Sequence, residues 1–147
     1  MKKISRSAIV GHSAAELYAL VEDIEAYPKF LPWCREAKVH ERAASGTRAT
    51  LTVGVSGLRQ SFTTRNENRP GEAIDMRLVE GPFSEFAAAW RFSPLSAAAC
   101  RIEFSLRYEL SSRAFGRVLE PLFDRIADTM VDAFARRADE IYGHAER

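Results

Sequence analysis

The chain has 147 residues, of which 46% are hydrophobic and 28% charged. That is enough for one domain with a core of its own, and it excludes a disordered chain. Twenty-one basic and 20 acidic residues leave a net charge of +1, so no bulk charge draws the chain to DNA, RNA or an anionic membrane. The two cysteines, Cys34 and Cys100, are too few for a disulfide framework and are expected as buried thiols of a reducing cytosol.

The start MKKISRSAIV carries two lysines and no apolar segment, so no secretory signal is expected. No apolar run is long enough to span a bilayer. The expected location is cytoplasmic, with any membrane contact peripheral, at the inner membrane.

Residues 3–10 read as a first strand. Ser13 and Glu16 form a capping box, and Leu17, Leu20, Val21 and Ile24 continue at helical spacing, which predicts a helix over 14–22. Tyr27-Pro28-Lys29-Phe30-Leu31-Pro32-Trp33-Cys34 follows. Its two prolines forbid one long helix and predict a short one near 24–27, then a constrained apolar turn. Strands are predicted over 34–41 and 46–55, joined by a glycine-bearing loop over 42–46. A turn over 55–58 leads to a strand over 59–69, and Arg69-Pro70-Gly71-Glu72 is another turn. Strands over 73–79 and 83–92 follow. In 99–110, Ile102, Phe104, Leu106, Tyr108 and Leu110 alternate with polar residues, the clearest strand in the chain. Residues 112–143 keep apolar spacing of 3 and 4 throughout and predict a long helix, capped by Ser111 or Ser112, with a kink or restart at Pro121.

The order is strand, two short helices, six strands, long helix. Hairpin-linked strands are antiparallel, so the fold class is α+β, one domain over 1–147. A curved sheet of about seven strands with one apolar face needs a cover, and only the C-terminal helix has a sufficient apolar stripe. Such an arrangement leaves room for an apolar ligand between sheet and helix.

The element order, and above all the segment over 27–34, resembles the helix-grip fold of START-type, polyketide-cyclase-type and birch-pollen-allergen-type proteins. Leu78-Val79-Glu80-Gly81-Pro82-Phe83, Trp90-Arg91-Phe92 and Asp124-Arg125-Ile126-Ala127 support it. Within that superfamily the chain is similar to the subfamily of ribosome association toxins (RatA) and ubiquinone-binding START-like (coenzyme Q-binding) proteins. The resemblance runs from about residue 3 to about 143. It implies two functions. The first is non-enzymatic binding of ubiquinone or a similar prenylated lipid, as a carrier or chaperone in respiration. The alternative is a toxin that binds the large ribosomal subunit and blocks subunit association. It also implies that Leu31 and Trp90 contribute to a ligand site.

The residues themselves offer material for that site. Pro28 and Pro32 would present Phe30, Leu31 and Trp33 rigidly at a cavity rim. Met76, Leu78, Phe83, Phe86, Trp90 and Phe92 on the sheet would face Phe123, Met130 and Phe134 on the helix. An ordinary core is the competing reading for each of these residues. On the cavity reading, Trp90→Ala weakens ligand retention and leaves the fold intact.

Catalysis and metal binding find little support. His12, His40 and His144 are scattered and lack metal-site spacing. Cys34 and His40, six residues apart on one strand, would be about 20 Å apart. Glu22, Asp23 and Glu25 read as a solvated cluster at a helix end. On the outer sheet face Arg77, Arg91, Arg101 and Arg107 alternate with Asp75, Glu85, Glu103 and Glu109, which suggests mixed-sign pairing. A basic patch for the ribosome would need folding to gather Arg48, Arg59, Arg65 and Arg69.

Overall fold

The computed structural model describes residues 1–55 and 57–143, Val55 by its backbone alone. Ser56, inside the turn expected over 55–58, and His144 lie outside the described residues. The elements are β1 (Lys2–Val10), α1 (Ala14–Glu22), a 3-10 turn (Ile24–Lys29), β2 (Cys34–Ala43), β3 (Gly46–Val55), β4 (Leu58–Arg69), β5 (Ala73–Glu80), β6 (Phe83–Ser96), β7 (Ala99–Leu110) and α2 (Arg113–Tyr142). One seven-stranded sheet has the order β1-β7-β6-β5-β4-β3-β2, and every pairing is antiparallel. The chain therefore meanders from β2 to β7 and closes the far edge with β1. This is the α+β helix-grip arrangement that the element order implied.

Local chemistry sets the boundaries. Ser13 accepts from the Glu16 N–H at 3.1 Å, and the Glu16 carboxylate accepts from the Ser13 N–H at 2.9 Å, so both sides of the capping box at α1 are formed. Ser112 caps α2 by accepting from the Phe115 N–H at 3.1 Å. Gly143 ends α2 at φ +86°, a region other side chains rarely adopt.

Four expectations change. The loop over 42–46 tightens to a two-residue turn, because Ala43 pairs directly with Gly46. β6 runs on to Ser96 through Pro94, whose missing N–H is accommodated at a register shift between Pro94 and Ser96. α2 passes through Pro121 without a restart; the proline only removes the bond that its N–H would have given to the Arg117 carbonyl. α2 is not the only cover, since α1 buries Ala14, Leu17 and Val21 and packs on β6, β7 and α2.

α2 lies over β1 and β7. Lys2 pairs with Asp124 at 3.2 Å, and Arg6 with Asp128 further along the helix. At the other end the buried His12 donates from Nε2 to Asp139 Oδ1 at 2.7 Å, and the Tyr142 hydroxyl donates to the Glu16 carbonyl at 3.2 Å. Polar contacts at both ends thus fix the helix on the sheet.

Candidate functional site

Every side chain proposed to line a cavity lies in the space between sheet and helix or at its rim. Leu31, Trp33, Phe83, Trp90, Phe92, Phe123, Met130 and Phe134 are buried, and Phe30, Met76, Leu78 and Phe86 are partly buried against the same core. Phe83 has the wrong strand parity to join Phe86. A register shift between Phe83 and Glu85 turns it inward opposite Leu110.

The rings form two groups. In the first, Trp90 meets Phe134 at 5.2 Å and Phe104 at 5.0 Å, and lies stacked 6.0 Å from Phe92. Tyr27 and Phe30 reach Phe134 edge-on at 5.4 and 5.1 Å. In the second, Phe83 meets Phe123 at 5.0 Å and Phe86 at 5.1 Å, with Phe62 within 5.8 Å of Phe83 and Phe123. These separations are ordinary for aromatic pairs in contact. Sequence reasoning left out Phe62, Tyr27, Phe104 and Tyr108. The last two stand in the clean alternation of β7, which is the signal that could have placed them here.

It also missed an inward-facing polar row. Thr47, Thr64, Asn66 and Asn68 are buried on β3 and β4. Thr64 donates to Asn66 Oδ1 at 2.9 Å and Asn68 Nδ2 donates to Thr47 at 3.2 Å, while Asn68 Oδ1 has no partner.

The proline-framed segment does not hang free. The Leu31 N–H donates to the Tyr27 carbonyl at 3.0 Å, and the Trp33 carbonyl accepts from Gly54 at 2.9 Å. A Cβ on Gly54 would come within 2.0 Å of the Leu58 carbonyl oxygen, so only glycine lets this hairpin end close. Between this segment and α2 lies a groove of about 420 Å³, whose walls include Phe30, Trp33, Arg125, Thr129, Arg136 and Arg137. Arg137 lies 4.9 Å over the Phe30 ring and pairs with Glu140 at 3.3 Å. The Trp33 Nε1–H, although buried, has no acceptor. Arg125, Thr129 and Arg136 lie about one turn or a whole number of turns apart on α2, a polar stripe hidden beside the apolar one that the periodicity picks out.

The outer sheet face pairs only part of its mixed charges, and among the described residues Arg101 and Arg107 make no ion pair. Arg91 meets Asp75 at 2.9 Å and Arg77 meets Glu67 at 3.8 Å. The four arginines considered as a ribosome patch do not form one. Arg48 and Arg65 are register partners, and both spend their charge on Glu41 at 3.3 Å, which holds the Glu41 carboxyl below its usual range. Arg59 and Arg69 stand at opposite ends of β4, about 33 Å apart. Arg42 likewise holds Glu22 and Glu25 at 3.3 and 3.5 Å, so that carboxylate cluster is a surface ion-pair site.

Burial pushes the Cys34 thiol up to about 11, which keeps it protonated and poorly nucleophilic at neutral pH. His40 is turned instead to Thr50, at 2.7 Å. Among the described residues no group of three or more His, Cys, Asp or Glu is placed to hold a metal ion, and no helix is long and apolar enough to cross a membrane.

Comparison with known proteins adds the following. The family described as Polyketide cyclase / dehydrase and lipid transport matches residues 10–135. The chain is 44% identical over 140 residues to the ribosome association toxin RatA of Pseudomonas aeruginosa, covering 95% of this chain and 97% of that protein. It is 31% identical over 146 residues to the mitochondrial coenzyme Q-binding protein COQ10 homolog B of Xenopus laevis, covering 97% of this chain and 60% of that one. Among solved structures, the Zhui aromatase/cyclase from Streptomyces superposes with a TM-score of 0.82 at 18% identity over 94% of this chain and 93% of its own, a likeness of fold.

Proposed function

The chain belongs to the Polyketide cyclase / dehydrase and lipid transport family, and from that premise we propose that it binds the large ribosomal subunit and blocks subunit association, without covalent chemistry. One observation carries this reading: the 44% identity to a ribosome association toxin spans nearly the whole of both chains. An identity this high over nearly the full length of both chains is more than a shared fold alone would require. The interior supports it as well. Trp90, Phe134, Phe83 and Phe123 are engaged with one another, so their burial is explained by packing.

This reverses the order in which the sequence ranked the two functions. The quinone carrier came first there; the relative named for ribosome association stands at 44% and the one named for coenzyme Q at 31%. The test is association of purified small and large ribosomal subunits followed by light scattering. Added protein should lower the yield of joined ribosomes in a dose-dependent way. Unchanged scattering at a large molar excess overturns the reading.

Ligand binding in the grip is a second reading, favoured by the likeness to a coenzyme Q-binding protein and by the unpartnered Asn68 Oδ1 on the inner sheet face. Leu31 and Trp90, each 1% exposed, would form its apolar wall. Organic extraction of gently purified protein, followed by mass spectrometry, tests it. A co-purifying prenylated quinone supports the carrier role, and an empty protein after incubation with added quinone contradicts it.

A further inference from the structure

We propose that the groove between the Phe30–Trp33 segment and α2 is an RNA-backbone site, with Arg125 and Arg136 as its phosphate ligands. The proposal rests on the ribosome reading and names the surface that reading requires. Arg125 and Arg136 are exposed, line the groove, and make no ion pair among the described residues. Other exposed arginines, Arg59 and Arg107 among them, also make no ion pair among the described residues, but of that unpaired set only Arg125 and Arg136 line the groove beside Phe30 and Trp33. Eleven residues of helix hold them about 16 Å apart, wide enough to bridge more than one phosphate. Between them the helix carries only Thr129 and Ala133 on the groove wall, so a strand can approach closely. Arg137 is already stacked on Phe30 and its charge is shared with Glu140, which makes it a positioning residue for the wall.

The chemistry favours a phosphodiester chain over a lipid headgroup. Free guanidiniums give bidentate, directional contacts to phosphate. A membrane-docking face would also need apolar side chains to insert. The exposed large apolar residues, Phe115 and Val118 among them, stand elsewhere, and none lines this groove. Trp33 lines the groove as well, and its buried Nε1–H has no acceptor. Asp132, seven residues after Arg125 and four before Arg136, shares their side of α2, but it does not line the groove and makes no ion pair with either arginine.

The test uses the full chain, an R125E/R136E variant, and an R77E/R107E control on the outer sheet face. Two readouts are taken: co-pelleting with purified large ribosomal subunits, and fluorescence anisotropy of a labelled 12-nucleotide oligouridine. The groove variant should lose about tenfold or more in both, and its slope of log affinity against log salt should fall by about one per arginine, while the control matches the parent chain. Glu140→Gln, which frees Arg137, should tighten both. Pelleting that the groove reversals leave intact overturns the inference and spares the ribosome reading. Oligouridine binding that needs Arg125 and Arg136, without any pelleting, overturns the ribosome reading and spares the inference. Capture on phosphatidylglycerol vesicles that needs the same arginines, with no RNA binding, overturns the inference in favour of a lipid headgroup.

Discussion

The Arg137 guanidinium sits 4.9 Å over the Phe30 ring, and that contact ties the proline-framed segment to α2. Phe30 also meets Phe134 edge-on at 5.1 Å, so the ring is held between a cation and the core. A segment held in this way is a fixed wall of the groove. Replacing Arg137 by Ala should cost about 0.5–1 kcal/mol, and by Met less, because the stem still covers the ring. Urea unfolding of the two variants checks this; equal losses would mean that the charge alone matters.

Trp90→Ala should not leave the fold intact, contrary to what the sequence alone suggested. Trp90 is 1% exposed and touches three other rings, so truncation should cost about 3–5 kcal/mol. A double-mutant cycle with Phe134→Ala should give a coupling of about 0.5–1.5 kcal/mol. A Trp90→Ala protein as stable as the parent would mean that the ring borders an open space.

Asp139→Ala leaves the Nε2–H of buried His12 without its carboxylate, at a cost of about 1–3 kcal/mol. The loss should be local at first. Amide exchange should quicken in the last turns of α2 before it does in β7, whereas uniform quickening would contradict the pinning role.

Stability should fall in mild alkali. The Cys34 thiol, raised by burial to about 11 from its usual value near 9, holds its proton more tightly in the folded state than in the unfolded one. Its contribution is complete below about pH 9 and is lost as pH rises toward 11. Burial raises the Tyr27 and Tyr108 phenols as well, so their loss has the same sign at higher pH. Cys34→Ala should flatten the decline in urea midpoint between pH 9 and 11 by on the order of 1 kcal/mol. An unchanged decline assigns it to other groups.

Much of the grip was legible because its strands alternate. β7 places Ile102, Phe104, Leu106 and Tyr108 inward without exception, and the capping box marked α1 to the residue. β4 was legible as a strand but not as a wall. Its inward residues include Thr64, Asn66 and Asn68; Thr64 bonds Asn66 and Asn68 bonds Thr47 of β3 in the interior, yet all look like solvent-facing residues in one dimension. Bulges hid more: Phe83 changes face at a register shift that periodicity cannot reveal. The groove arginines were missed for a different reason. A helix was read by its apolar stripe, and the groove that sets Arg125 and Arg136 beside Phe30 and Trp33 exists only in the folded chain. His12 looked like a loop residue because its partner Asp139 is 127 positions away.

Ribosome association is read off a sucrose gradient of ribosomes sedimented with the purified chain. The protein should migrate with the large subunit, with joined ribosomes depleted in favour of free subunits. Protein that stays at the top of the gradient, over an unaltered profile, would contradict it.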